Sequence, residues 1–184
     1  MPTALLVMDF QVAVVGRFTG SDPVVAAAVT GVAAARGHGV PVVFVRVGFR
    51  DGYPEVSPRN RAFSTLSERA DMGEDEPGTQ VIGELEPLPD ETVVVKRRVS
   101  AFTGSDLEVV LRAADVDHLV LSGIATSGVV LSTLREAADR DYRLTVLSDA
   151  CLDGDPEVHR VLTEKVFPRQ ADVVTVDDWV ASLG

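Results

Sequence analysis

The chain has 184 residues, a length typical of one domain with its own hydrophobic core. Its 28 acidic and 17 basic residues give a formal net charge of −11, which makes nucleic acids and anionic membranes unfavourable partners. No apolar run reaches transmembrane length, and the amino terminus lacks the basic region of a signal peptide, so we expect a cytoplasmic protein. The single cysteine, Cys151, excludes an intramolecular disulfide framework.

In chain order, apolar segments typical of buried strands alternate with segments of helical pattern. The predicted strands cover residues 3–8, 41–47, 92–96, 118–121, 143–147 and 173–176. The predicted helices cover residues 22–37, 79–85, 106–114, 156–166 and 178–183, and a further one runs from the turn after the fourth strand to about residue 140. We expect Asp22 to cap the first helix, and residues 48–78 to form a long irregular segment.

Continuously apolar strands separated by helices predict a parallel sheet that is covered on both faces. Right-handed crossovers then give a doubly wound, three-layer α/β/α sandwich with six parallel strands, of the Rossmann-like class. We expect residues 1–184 to form one such domain.

Several polar residues fall at the carboxyl ends of predicted strands, which is where ligands bind in such folds. Asp9 ends the first strand, Arg46 lies near the end of the second, Lys96 ends the third and Cys151 follows the fifth. Asp9 and Lys96, placed at neighbouring strand ends, could form a charged pair in a partly dry cleft. A purely structural ion pair is the alternative.

A turn of small residues, 123–128, joins the fourth strand to the next helix. Backbone N–H groups at a helix start favour negative charge, and a hydrolase can use them as an oxyanion hole. The alternative is an ordinary connection between a strand and a helix.

These features together resemble the isochorismatase-like, or cysteine hydrolase, superfamily. The resemblance covers nearly the whole chain. It is carried by LLVMDFQ around Asp9, by VVVKRRVSAF around Lys96, and by SGIATSGVVLSTLREAADRDY followed by LTVLSDAC.

The resemblance implies a hydrolase of a small molecule, with Asp9 at the acid/base position and Lys96 at the lysine position. It implies that Gln11 and Phe102 line the pocket. It also implies that Ile124, Ala125 and Gly128 form the oxyanion turn, with a cis peptide bond at Ile124–Ala125. We expect a homo-oligomer and no cofactor.

One departure from the family pattern concerns the nucleophile. Amidase members carry a cysteine at the position that is Val129 here, and valine cannot attack a carbonyl. Isochorismatases proper lack that cysteine and rely on protonation by the Asp. Two hypotheses therefore stay open: a hydrolase that uses acid–base chemistry at Asp9 and Lys96, or an inactive relative that serves as a ligand-binding or interaction module.

Other nucleophiles are less favoured by the sequence. Thr126 and Ser127 lie in the turn, but no histidine base is apparent near them. His38 and His118 fall at the opposite edge of the sheet, and we expect His159 to be solvated. Cys151 is interpreted as a small buried hydrophobic residue rather than as a ligand contact.

The segment after the second strand allows two further predictions. Residues 47–55 contain no histidine, so we expect no metal site like that of the nicotinamidases. Residues 49–66 form either a lid that supplies arginine to a carboxylate substrate or, as we favour, a solvated loop or subunit contact. The polar residues concerned are Arg50, Arg59, Asn60 and Arg61.

Overall fold

A computed structural model describes residues 2–65, Glu68 and residues 71–184 of the chain. Six strands form one sheet in the order β3-β2-β1-β4-β5-β6, and every neighbouring pair is parallel. The prediction of a six-stranded parallel sheet is therefore confirmed. The strands are β1 Thr3–Met8, β2 Val42–Val47, β3 Thr92–Lys96, β4 His118–Ile124, β5 Arg143–Leu152 and β6 Asp172–Val174.

Helices connect these strands and mostly follow the predicted segments. The described residues include the α-helices α1 Val12–Val15, α2 Asp22–Gly37, α3 Leu107–Ala113, α4 Leu131–Ala138, α5 Pro156–Val161 and α6 Val176–Ala181. A π-helical segment, Leu162–Val166, extends α5 to the predicted end, and the short helix α1 was not predicted. Ser21, rather than Asp22, is the residue that precedes the first turn of α2.

The predicted helix over residues 79–85 is wrong. Two single 3-10 turns, Pro77–Thr79 and Gly83–Leu85, flank an extended stretch there. Val81 forms an antiparallel bridge with Gln11, and this tertiary pairing keeps the backbone extended between the two turns. A helix would remove those backbone groups from the bridge.

The sheet separates two hydrophobic clusters because successive strand residues point to opposite faces. In β1, Leu5 and Val7 pack with α2 and α6, whereas Leu6 and Met8 pack with α3 and α4. Helices thus cover both faces, which confirms the predicted α/β/α layering. Within the described residues, no helix is long and apolar enough to cross a membrane.

Two strands extend beyond their predicted ends. β4 continues to Ile124 and β5 to Leu152, past an irregularity in their pairing between Leu121 and Gly123. Cys151 consequently lies inside β5, opposite Gly123, instead of following the strand. β6 and α6 begin one and two residues earlier, respectively, than predicted.

Candidate active site

Asp9 lies directly after β1, at the carboxyl edge of the sheet. Its backbone has a φ of 59°, in the left-handed region that few residues other than glycine adopt. Its N–H donates to the carbonyl oxygen of Val45 at 2.8 Å, and the residue is 7% exposed. Such a conformation in a buried acidic residue is frequent where a fold holds a side chain for function.

Lys96 reaches Asp9 from the end of β3. Its Nζ atom lies 2.9 Å from Asp9 Oδ2, so the expected ion pair is confirmed. The two strands are not neighbours, however, because β2 lies between them. Adjacent strands are about 4.8 Å apart, and the four-carbon side chain of lysine has the length to extend past the end of β2.

The Lys96 ammonium has three hydrogen-bond acceptors. Besides Asp9 Oδ2, the carbonyl oxygens of Arg98 and Val99 accept from Nζ, each at 3.0 Å. A neutral amine has two N–H donors and an ammonium has three, so this arrangement matches the charged form. Lys96 is 2% exposed, which removes competing water from these contacts.

The second carboxylate oxygen of Asp9, Oδ1, differs from Oδ2 in its hydrogen bonding. Oδ1 is buried and has no hydrogen-bond partner among the residues that the structure describes. Burial raises the pKa of Asp9 above its usual range, although the charge and hydrogen bond of Lys96 oppose that rise. Because Oδ2 is engaged by Lys96, Oδ1 is the atom at which a proton can be gained or lost.

Val129 belongs to the turn Thr126–Val130 that follows β4, and its side chain is buried. A Cβ atom on Gly123 would lie 3.3 Å from Val129 Cγ1 and 2.9 Å from the carbonyl oxygen of Met8. Val129 therefore packs beside the end of the strand that leads into Asp9. Glycine at 123 permits this close approach of β4 and β1.

The turn itself has a cis peptide bond between Ile124 and Ala125, as expected. The possibility that its N–H groups form an open oxyanion hole is not supported for three of them, because they have protein partners. Ser127 N–H donates to Asp153 Oδ2 at 2.7 Å, and the N–H groups of Gly128 and Val130 donate to the carbonyl oxygen of Ala125 at 3.1 and 3.3 Å. The turn itself satisfies two of these donors, and Asp153, which follows β5, satisfies the third.

A histidine does lie near this turn, contrary to the sequence-based expectation. Thr126 Oγ1 is 2.8 Å from Nδ1 of His159, which is on α5 and is half-buried. Burial lowers the pKa of His159, and the Asp153 carboxylate opposes this shift. The Thr126 hydroxyl is thus held towards α5. The contact joins residues 33 positions apart, so a pattern within a few residues of the sequence cannot predict it.

The two predicted pocket residues are packed inside the protein. Gln11 is fully buried; its Nε2 donates to the carbonyl oxygens of Val47 and Thr79, both at 2.8 Å, and its Oε1 accepts from Val47 N–H at 2.9 Å. These bonds tie β2 to the turn at Thr79. Phe102 is buried next to Tyr142, with the Arg140 guanidinium 4.7 Å from its ring centre.

Cys151 is buried, and burial raises the pKa of its thiol to about 12. The thiolate is therefore scarce at neutral pH, which fits the interpretation of Cys151 as a small hydrophobic residue.

The segment after β2 is organised around its own small cluster. Phe49 packs with Tyr53, Phe63 and Met72, and Arg50 pairs with Glu55 at 2.6 Å. The predicted lid or loop, residues 49–66, ends at Leu66, which lies outside the described residues. Arg59 and Arg61 are exposed, and Asn60 Oδ1 accepts from Ala62 N–H within the loop.

Surface depressions lie away from Asp9. One, lined by Val40, Leu88 and Val116 among others, lies at the amino-terminal edge of the sheet. Because parallel sheets bind ligands at the carboxyl ends of their strands, we place the candidate site at Asp9 instead.

Comparisons with known proteins identify similar sequences and a similar fold. A family profile described as "Isochorismatase domain" matches residues 3–178. Ureidoacrylate amidohydrolase RutB of Stutzerimonas stutzeri strain A1501 is 31% identical over 98% of this chain and 79% of its own length. The uncharacterized isochorismatase family protein YecD of Escherichia coli O157:H7 is 32% identical over 98% and 96%. An isochorismatase family protein of Burkholderia thailandensis has a similar structure, with a TM-score of 0.88, 28% identity and coverage of 99% and 95%.

Proposed function

The chain belongs to the isochorismatase family, and from this premise we propose that residues 1–184 act as one domain that hydrolyses a small molecule by acid–base chemistry at Asp9 and Lys96. The single observation that carries the proposal is the asymmetry of the Asp9 carboxyl group. One oxygen is fixed by a charged lysine, and the other is buried without a partner among the described residues.

In this mechanism Oδ1 of Asp9 transfers the proton. Burial favours the protonated carboxyl, which can then donate to a leaving group, and the ionised carboxylate can accept a proton from water. The Lys96 ammonium limits the cost of the ionised form and keeps Oδ2 in place. Positioned acid–base catalysis of this kind contributes about 10²- to 10⁴-fold to a rate.

Water is the nucleophile in this proposal, because Val129 has no atom that can attack. No covalent intermediate forms on the turn, and the paired N–H groups of Ser127 and Gly128 are less available to a developing oxyanion. The reaction is therefore a single displacement or a protonation followed by addition of water. Gln11 and Phe102 support the site by fixing β2 and the loop after β3 rather than by contact with the substrate.

An anionic substrate is favoured by Arg98. Its guanidinium donates to the carbonyl oxygens of Arg97 and Glu55, and the described residues offer it no carboxylate partner. RutB is named as an amidohydrolase of ureidoacrylate. For this chain we propose a small carboxylate that carries an amide or enol ether bond, and a cytoplasmic, homo-oligomeric protein.

The test is a panel of small amides, ureides and enol ethers, with and without a carboxylate, assayed on wild type and Asp9→Asn. We expect hydrolysis by wild type and a loss of about 100-fold or more in the variant. Comparable rates in the two proteins would contradict the proposal.

The second candidate function, a ligand-binding or interaction module, is favoured by Val129 alone. It predicts that a member of the panel raises the melting temperature of the protein while no product appears. Asp9→Asn should then change the affinity for that compound, and neither wild type nor the variant should form product.

A further inference from the structure

The loop of residues 97–105, here called the Lys96 loop, follows β3 and turns back over Lys96. The carbonyl oxygens of Arg98 and Val99, near its start, accept two of the three hydrogen bonds from the Lys96 ammonium. The geometry of these carbonyls therefore decides where the ammonium lies relative to Asp9. Whatever fixes the Lys96 loop also fixes the charged pair.

Helix α4 holds this loop through two residues. Glu136 Oε2 accepts from the hydroxyls of Ser100 at 2.5 Å and Thr103 at 3.1 Å. Thr133 Oγ1 accepts from the N–H of Ala101 at 3.0 Å. Ser100 and Ala101 come directly after Val99, so these contacts lie next to the carbonyl that binds Lys96.

The Glu136 carboxylate is itself restrained and ionised. Arg140 Nη2 donates to its Oε1 at 2.6 Å, and the same guanidinium lies over the ring of Phe102 in the Lys96 loop. Burial alone would raise the pKa of Glu136, but the hydrogen bonds from Ser100, Arg140 and Thr103 lower it overall. Hydrogen bonds to an ionised acceptor are roughly twice as strong as neutral ones.

We infer that Glu136 is a positioning residue for Lys96. It holds the Lys96 loop on α4, the loop carbonyls hold the ammonium, and the ammonium fixes Oδ2 of Asp9. The catalytic consequence rests on the proposed function, whereas the restraint on Lys96 can be measured without any substrate.

The sequence makes Lys96 unusually easy to observe. The chain has two lysines, Lys96 and Lys165, and Lys165 is exposed. With ¹⁵N-lysine incorporated, the Lys96 ammonium should give a ¹H–¹⁵N signal that exchanges slowly with water, because it is buried and has three acceptors. The variant Lys165→Met assigns the signal, since the slow resonance must persist in it.

The test compares three variants of the acidic residues around Arg140. Glu136→Ala should accelerate exchange of the Lys96 ammonium about tenfold or more, because the charged acceptor of two loop hydroxyls is lost. Glu136→Gln keeps an acceptor oxygen and should fall between Glu136→Ala and wild type. Glu108→Ala is the matched control: Glu108 also pairs with Arg140, at 3.1 Å, and its side chain is 32% exposed against 28% for Glu136.

An unchanged Lys96 signal in folded Glu136→Ala, or an equal change in Glu108→Ala, would overturn the inference. If Glu136→Ala does not fold, Ser100→Ala takes its place. We expect it to accelerate exchange of the Lys96 ammonium in the same way, and an unchanged Lys96 signal would again overturn the inference. Exchange at Lys96 does not depend on turnover. If the substrate panel shows no hydrolysis, the proposed function is wrong but the role of Glu136 in positioning Lys96 is not affected. If the exchange experiment fails, the role of Glu136 is wrong but the proposed function is not affected.

Discussion

The hydroxyl oxygen of Thr126 lies 2.8 Å from Nδ1 of His159, and this contact joins the turn after β4 to helix α5. The same turn is held a second time by Asp153, whose carboxylate accepts the Ser127 N–H. The turn that carries Val129 is thus fixed from the side of α5, as the Lys96 loop is fixed from α4.

We expect His159→Leu to lower the free energy of unfolding by about 1–3 kcal/mol, because the fully buried Thr126 hydroxyl loses its partner. Urea unfolding at pH 8 measures this loss. His38→Leu, which changes an exposed histidine at the end of α2, should stay within about 0.5 kcal/mol of wild type.

The cost of His159→Leu should also depend on pH. Burial lowers the pKa of His159, so the unfolded chain binds a proton near pH 6.5 before the folded protein does. Acidification through that range destabilises wild type more than the variant, because the variant lacks the contribution of His159. The difference in free energy of unfolding between wild type and His159→Leu should therefore decrease as the pH falls from 8 to the lowered pKa. An increase in that difference would contradict this account.

Lys96→Met should be strongly destabilising, by about 3–5 kcal/mol at pH 8, because it leaves the Asp9 carboxylate buried without its counter-ion. The loss should be smaller at acidic pH, since burial raises the pKa of Asp9 and a protonated carboxyl needs no counter-ion. Lys165→Met, the control at the exposed lysine, should have almost no effect. Adding Asp9→Asn to Lys96→Met should cost less than the sum of the single changes.

Alkylating reagents should leave the native protein and its activity intact. Burial raises the pKa of Cys151 to about 12, so little thiolate is present at pH 8 and it is inaccessible. Intact mass should show no iodoacetamide adduct without denaturant and one adduct in urea. Rapid native modification that tracks a loss of activity would instead place Cys151 in the site.

Val129→Cys should fold, because cysteine packs as a small hydrophobic residue, and should gain weak hydrolysis of activated esters. One missing oxyanion donor costs about 10²- to 10³-fold in a hydrolase, so the paired Gly128 N–H predicts a low rate. Val130→Cys, equally buried in the same turn, is the control. Equal rates in the two variants would refute a specific role for position 129.

Much of the site follows from local patterns. Asp9, Lys96 and the small-residue turn are each recognisable because a buried strand ends at them, and the strand ends of a parallel sheet share one edge. The sequence alone also shows that position 129 is a valine and therefore has no nucleophilic atom. The same patterns failed over residues 79–85, where a bridge to Gln11 replaced the expected helix.

The sequence by itself determined the six parallel strands, most of the helices that cover them and the charged groups that meet at the carboxyl edge. Only the tertiary structure decided that Lys96 crosses the end of β2 to reach Asp9, that His159 holds Thr126, and that Glu136 anchors the Lys96 loop. The reason is physical. Strand and helix formation depends on neighbours within a few residues, whereas these contacts join groups 33 to 87 positions apart and depend on strand order and register.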